Sequence, residues 1–162
     1  MPMSKKTSKY PGTYAFNSKA KHDFSILETV EAGIVLQGTE AKAIKSGGKV
    51  QFADAHVRDI GGEMYLINCY IAPYSHGTHQ NHEPTRTRKL LLHRKEILRL
   101  SQKVREKGLT LVPLRFYAKK GLIKVEIGLG KGKKSFEKRE DHKTRTVQRD
   151  LQRNFKQSQI KV

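Results

Sequence analysis

Cysteine is nearly absent from this sequence, and tryptophan is missing altogether. The single cysteine, Cys69, lies in an apolar run at 65–71. No disulfide can therefore form within the chain, and the thiol is predicted to be buried rather than nucleophilic. No apolar run approaches the ~20 residues that a membrane-spanning helix needs, and the first residues lack the apolar core of a signal peptide. These absences predict a cytoplasmic protein with no membrane partner.

Acidic residues are also scarce. Only 15 Asp and Glu stand against 33 Lys and Arg, which gives a net charge of +18 in 162 residues. Basic residues exceed acidic ones both before and after position 131, so the excess is spread along the chain. Such broad positive charge suits a polyanion, meaning nucleic acid, better than one small anionic substrate.

Catalytic and metal-binding motifs are lacking too. The segment 128–134 is rich in glycine, but its spacing is not that of a P-loop. His76, His79 and His82 have a spacing that zinc can use, yet no clear fourth ligand is nearby, and a surface loop is predicted instead. We expect no enzymatic activity, no cofactor and no bound metal. A ribonuclease that uses two of these histidines stays open as the enzymatic alternative.

The hydrophobic pattern predicts a mainly β fold, a small antiparallel barrel of about six strands with two or three inserted helices. Strands are predicted at 26–36, 49–59, 63–71, 109–117 and 122–129, with hairpin turns at 61–62 and 120–121. Short helices are predicted at 17–24 and 39–46, and a long one within 88–108. Asn17 and Thr39 are the expected N-caps, and Pro113 predicts a sheet edge or a bulge.

Composition divides the chain into three parts: a flexible leader at 1–13, a barrel domain at 14–130 and a basic tail at 131–162. Written as a helix, the tail places only Val147, Leu151 and Phe155 on one apolar stripe. Their burial would contribute roughly 5–9 kcal/mol. Ordering ~20 residues costs about 1–2 kcal/mol for each residue. The tail is therefore predicted to be disordered alone and to fold when a partner supplies contacts.

Three clusters of basic residues are predicted to contact RNA. They are Arg86, Arg88 and Lys89 at the entrance of the long helix; Lys119, Lys120 and Lys124 on the last hairpin; and Lys131, Lys133 and Lys134 after it. Arginine can bind phosphate with two hydrogen bonds, and the glycines that alternate with Lys131 and Lys133 let the backbone approach phosphates. Phe136 follows among cations and suits stacking on an unpaired base.

Several stretches together resemble the SmpB family of bacterial SsrA-binding proteins. They are NSKA from Asn17, EAGIVLQGTE from Glu31, PTRTRKLLL from Pro84, KVEIG from Lys124 and KGKKSFEKR from Lys131. The resemblance extends from about residue 14 to residue 149. It departs from the family pattern at Glu137, where Asp is usual, and at Ala41 and Ala43, where Val and Ser are usual.

The resemblance implies an oligonucleotide-binding-like barrel that binds the tRNA-like domain of transfer-messenger RNA, one copy per RNA, and delivers it to stalled ribosomes for trans-translation. It also implies that the tail probes the decoding centre and enters the empty mRNA channel as a helix. By resemblance, Asn17, Glu31, Leu91 and Lys124 lie where the family contacts this RNA, and Lys19 is predicted to bind RNA as well. The ribosome-binding tail residues are Phe136, Glu137, Lys138, Arg139, Lys143, Arg145, Arg149, Arg153 and Phe155.

A structural ribosomal protein that binds rRNA is the alternative of another class. Such proteins are also small and basic and often join a barrel to an extended tail. Composition does not separate the two interpretations.

Overall fold

The computed structural model describes residues 12–77 and 79–160, with side chains described as far as residue 157. The strands in this part of the chain are β1 (Thr13–Phe16), β2 (Phe24–Ile34), β3 (Val50–Gln51), β4 (His56–Ile60), β5 (Glu63–Ile67), β6 (Tyr70–Ile71), β7 (Arg88–Leu91), β8 (Thr110–Lys119) and β9 (Leu122–Gly132). The helices are α1 (Ser18–Asp23), α2 (Gly38–Lys45), α3 (Arg94–Lys107) and α4 (Ser135–Ile160).

Six strands close into an antiparallel barrel. Their order is β8–β4–β5–β7–β2–β9, and β9 pairs again with β8 to complete the ring. Strand β1 is added to the free half of β8, and β3 pairs with β6 outside the barrel. Closure gives the strands of the ring partners on both sides and so limits exposed sheet edges. The predicted small antiparallel barrel is confirmed.

The predicted turns lie where the sequence placed them. Lys120 and Gly121 join β8 to β9, and Gly61 and Gly62 join β4 to β5; all four residues have positive φ. Pro113 lies next to a register shift in the β8–β9 pair, which confirms the expected bulge. The short helix after Asn17 is confirmed with its cap, because the Asn17 side chain accepts the Ala20 amide hydrogen at 3.2 Å.

Apolar side chains from all sides of the barrel meet in one core. Met64, Leu66, Phe116 and Val125 have no exposed surface, and Leu100 of α3 is equally buried among them. Cys69 belongs to this core, and burial raises the pKa of its thiol to about 12. The predicted structural role of Cys69 is confirmed.

The long helix predicted within 88–108 is confirmed as α3, but the prediction that Arg86, Arg88 and Lys89 stand at its entrance is wrong. Residues 88–91 form β7, which pairs with both β2 and β5, and α3 begins only at Arg94. The Glu96 carboxylate accepts the His93 amide hydrogen at 3.1 Å, and this local cap sets the start of the helix. Gly108 ends α3 in the left-handed conformation, as its position predicted.

Two further elements differ from expectation. The strand predicted at 49–59 is divided into β3 and β4 by a turn in which the Ala55 amide donates to the Phe52 carbonyl at 3.0 Å. Helix α2 begins at Gly38 with Gln37 as its N-cap, so the prediction of Thr39 as the cap is wrong. The Thr39 hydroxyl instead lies 2.9 Å from the Nδ1 atom of His82.

The tail forms α4, which at 26 residues is longer than α3. Side chains at 142–157 are all exposed, so this part of the helix has no core of its own. The division at residue 131 and the folding of the tail on a partner stay predictions. None of the described helices is long and apolar enough to cross a membrane.

Candidate nucleic-acid interface

The outward side of β2, β9 and β8, called the outer face below, gathers charged and aromatic side chains. Strand register places Glu31 opposite Glu126, Glu126 opposite Arg115, and Lys124 opposite Tyr117. Because side chains alternate along a strand, these five residues project from the same surface. The outer face therefore carries both signs of charge at close quarters.

Glu31 is held in place by two neighbours on the outer face. The Tyr117 hydroxyl donates to one carboxylate oxygen, and Lys119 Nζ lies 3.1 Å from both oxygens. The hydrogen bond from Tyr117 and the Lys119 ammonium hold the pKa of Glu31 below its usual value. The carboxylate is thus ionised and, at 38% exposure, able to accept further hydrogen bonds from a ligand.

A groove of about 720 Å³ opens between β2 and the segment formed by β7 and the start of α3. Glu31, Lys89, Leu91 and Lys124 line it together, although the resemblance and the basic clusters had suggested them from three separate stretches of sequence. Leu91 is 53% exposed, and a Cβ atom on Gly33 would lie 3.1 Å from its Cβ. The missing side chain at Gly33 lets β7 approach β2 and brings Leu91 to this groove.

Helix α1 lies at the other end of the outer face. Lys19 is exposed there, but Asn17 is buried, and its side chain donates to the Pro113 carbonyl at 2.8 Å. The Asn17 side chain thus joins α1 to β8. Its proposed contact with RNA stays a prediction.

Arg88 does not lie where RNA can reach it. Its side chain is fully buried, with Nε 2.8 Å from Glu40 and Nη1 2.7 Å from the Cys69 carbonyl. Arg86 Nε binds the other Glu40 oxygen at 2.7 Å. Burial works to raise the pKa of Glu40, but the two guanidinium groups outweigh it and the pKa is lowered. The prediction that Arg88 contacts RNA is wrong, because its charge is satisfied inside the fold.

The histidine loop is not uniformly at the surface. His82 is buried, with Nδ1 2.9 Å from the Thr39 hydroxyl and Nε2 3.0 Å from the Ile71 carbonyl. The prediction of a surface loop is therefore wrong at His82, which fastens the loop to α2 and β6. Within the described ranges, no three His, Cys, Asp or Glu side chains are grouped so as to hold a metal ion.

The first turns of α4 are fastened to α1. Lys133 Nζ binds the Asp141 carboxylate and the Lys21 carbonyl, the latter at 3.0 Å, and Lys138 Nζ lies 3.3 Å from Asp23. These bonds fix the direction in which α4 leaves the barrel. Lys133, predicted to contact RNA, has an ammonium group that is already bound within the protein.

The remaining tail residues are arranged along an open helix. The Glu137 carboxylate accepts the Lys134 amide hydrogen at 3.0 Å, so Glu137 caps the start of α4. The exposed predicted residues are Phe136, Arg139, Lys143, Arg145, Arg149, Arg153 and Phe155, and Lys131 and Lys134 before the helix are exposed as well. The predicted approach of phosphate to the glycines fits Gly132 better than Gly130, which packs against Phe24 and Ser25.

Comparison with known proteins identifies the family of this chain. The SmpB family model matches residues 14–157. The chain belongs to the SmpB family. SsrA-binding proteins of the same family are 49% identical over 154 residues in Staphylococcus carnosus, covering 95% of this chain and 98% of that protein, and 53% identical over 145 residues in a Geobacillus species, covering 90% and 93%.

A family member of known structure supports the fold assignment. It comes from a study described as "tmRNA-SmpB: a journey to the center of the bacterial ribosome" and aligns with a TM-score of 0.63 and 52% identity, covering 75% of this chain and 85% of that one. The similarity therefore includes most of both chains.

Sequence reasoning missed several residues of the outer face. Tyr117, Arg115 and Glu126 were not singled out, although alternation along 110–119 and 122–132 places them outward. The Arg115 guanidinium lies 4.4 Å from the Tyr117 ring centroid and binds Glu126 at 2.8 Å. An alternating polar pattern on two paired strands was the available signal.

Proposed function

We propose that the chain binds the tRNA-like domain of transfer-messenger RNA through the outer face and the adjoining groove, and delivers this RNA to stalled ribosomes. One observation carries the proposal. Glu31, Lys89, Leu91 and Lys124 come from β2, β7 and β9 and meet in a single open groove beside the outer face. The chemistry is binding without catalysis, with one protein copy per RNA, in the cytoplasm.

Each kind of side chain in the groove has a distinct task. Lys124 offers an ammonium group to phosphates, and so does Lys89, whose Nζ also lies 3.6 Å from the exposed carboxylate of Glu63. These contacts supply affinity that depends on salt but not on sequence. Glu31 can accept hydrogen bonds from base or ribose donors. Such bonds distinguish one RNA from another, which attraction to phosphates cannot do. Folded RNA is read largely through shape, 2′-hydroxyls and unpaired bases, so a rigid groove with a fixed acceptor suits it.

Helix α4 has a separate role in the proposal. Its exposed cations suit the phosphates of rRNA, and its apolar stripe of Val147, Leu151 and Phe155 is exposed at 58%, 63% and 69%. We propose that the helix occupies the mRNA channel of the ribosome when no message is present. A message already in the channel would exclude it, and the tail thereby distinguishes stalled ribosomes from translating ones.

The groove is tested by Glu31→Ala. Loss of a charge-assisted acceptor should weaken binding to the tRNA-like domain by about tenfold, with a smaller loss for an unrelated structured RNA. Glu106→Ala, on the exposed side of α3, is the matched control that removes the same charge elsewhere. Equal weakening of both RNAs by Glu31→Ala would contradict a selective role.

The tail is tested by deleting residues 136–162. Binding to the isolated tRNA-like domain should stay within a few-fold of the full chain, whereas tagging of peptides on stalled ribosomes should be lost. Filter binding and a reconstituted tagging reaction measure the two properties. Tagging that survives the deletion would overturn the proposed role of α4.

A further inference from the structure

The outer face also carries a small cavity of about 170 Å³ beside α1. Its floor is formed by Ile26 and Leu114, one wall is the ring of Phe16, and its rim carries Lys21, Arg115 and Glu126. The cavity thus combines an apolar floor, an aromatic wall and a charged rim within one hollow of the surface.

The cavity has space above Ile26 and Leu114 because β9 carries no side chain at Gly128. A Cβ atom on Gly128 would lie 3.1 Å from the Leu114 Cδ1 atom and 3.2 Å from the Ile26 Cδ1 atom. Gly128 pairs with Thr29, which lines both the cavity and the groove. The cavity is therefore continuous with the surface that holds Glu31.

We infer that this cavity binds one unpaired nucleobase of the partner RNA, stacked on Phe16. This inference rests on the proposed function. Phe16 is 39% exposed, and Lys21 Nζ lies over its ring, 5.5 Å from the centroid. A planar base that stacks on this face takes the place of the ammonium group, which then lies near the phosphate attached to the base. The apolar floor favours a base over a hydrated sugar or phosphate.

The rim favours bases that carry an amino group. Glu126 accepts a hydrogen bond from Arg115 Nε at 2.8 Å, and a carboxylate has room for further donors. An exocyclic amino group on adenine, cytosine or guanine can donate to it, whereas uracil offers no such group. Pairing within a duplex would block access, so the base has to be unpaired.

Phe16→Leu tests the stacking wall while keeping the site apolar. We expect this substitution to weaken binding of the full chain to a transcript of the tRNA-like domain by about fivefold or more. Phe16→Tyr keeps the ring and should restore affinity. Tyr14→Leu, an exposed aromatic on the same strand that does not line the cavity, should leave affinity within twofold. Thermal melting of each variant checks that the fold is retained.

A duplex RNA of equal length serves as the second probe. Phe16→Leu should leave duplex binding unchanged, because a duplex has no free base to stack. Unchanged binding of the transcript, equal loss with both RNAs, or equal loss with Tyr14→Leu would overturn the inference. The proposed function is judged separately by whether the wild-type chain prefers the transcript to the duplex.

A photoreactive phenylalanine analogue at position 16 gives an independent readout. Cross-linking to the transcript should map to a single unpaired nucleotide that carries an amino group. Cross-links confined to paired nucleotides, or to a ribosomal protein when ribosomes are added instead, would overturn the inference.

Discussion

Two glutamates of this chain are each held by two neighbouring side chains, yet they lie in opposite surroundings. Glu40 is fully buried between Arg86 and Arg88, whereas Glu31 is 38% exposed between Tyr117 and Lys119. The pKa is lowered at both carboxylates. The side chains that pair with a glutamate therefore do not by themselves show whether it stabilises the fold or is available to bind a ligand.

Access to solvent distinguishes the two sites. The charge of Glu40 is enclosed, and Arg88 also binds the carbonyls of Cys69 and Pro84, so this cluster ties α2 to the barrel and to the loop before β7. Glu31 keeps room for further hydrogen-bond donors. A paired carboxylate thus stabilises the fold at Glu40, whereas at Glu31 it is accessible to a ligand.

The largest difference between the two sites should appear in stability. Glu40→Gln leaves two guanidinium groups facing a neutral amide and should lower the free energy of unfolding by about 3–5 kcal/mol. Glu31→Gln should lower it by less than about 1 kcal/mol, because an exposed pair is screened by water. Urea denaturation at neutral pH measures both. Similar losses for the two variants would contradict the distinction.

An effect of intermediate size is expected when the free energy of unfolding is measured at acid pH. The folded-state pKa of Glu40 lies below its usual value of 4.5, so its contribution is complete above about pH 4.5 and is lost as pH falls through the folded value. The gap in stability between wild type and Glu40→Gln should therefore narrow below pH 4.5. Denaturation midpoints from pH 7 to pH 3 test this, and a gap that stays constant would contradict it.

The smallest effect is expected from Tyr117→Phe. This change removes only the hydroxyl that orients Glu31 and keeps the ring beneath Arg115. Affinity for the tRNA-like domain should fall by about threefold to tenfold, with little change for an unrelated RNA. Tyr65→Phe, on β5, is the control. If Tyr117→Phe weakens both RNAs equally, Tyr117 does not act through Glu31.

Sequence periodicity was sufficient for the barrel and its turns. The alternation over 122–129 and the turn residues at 61–62 and 120–121 predicted β9 and two tight turns correctly, because these signals depend on residues close in sequence. The prediction that residues 86–89 stand at the entrance of the long helix was wrong, because the apolar residues that follow them suit either a helix or a strand. Pairing with β2 and β5, which no local pattern records, decided between them.

The candidate site was predictable in composition but not in arrangement. Glu31, Leu91 and Lys124 were named from resemblance, and the fold brings them to one groove. Arg88 was misassigned because its partner, Glu40, is 48 residues away in sequence. Charge counts do not reveal which cations are already paired, whether across such a distance or, as for Lys133 and Asp141, only eight residues apart.

The attachment of α4 to α1 fixes the point from which the tail extends. Its 26 residues, each rising about 1.5 Å, extend about 39 Å from a base held by Lys133 and Lys138. Since α1 is in turn joined to β8 through Asn17, the start of α4 is fixed in position on the barrel. In the proposed complex with the ribosome, the number of helical turns, rather than any single contact, determines how far the tail extends from the barrel.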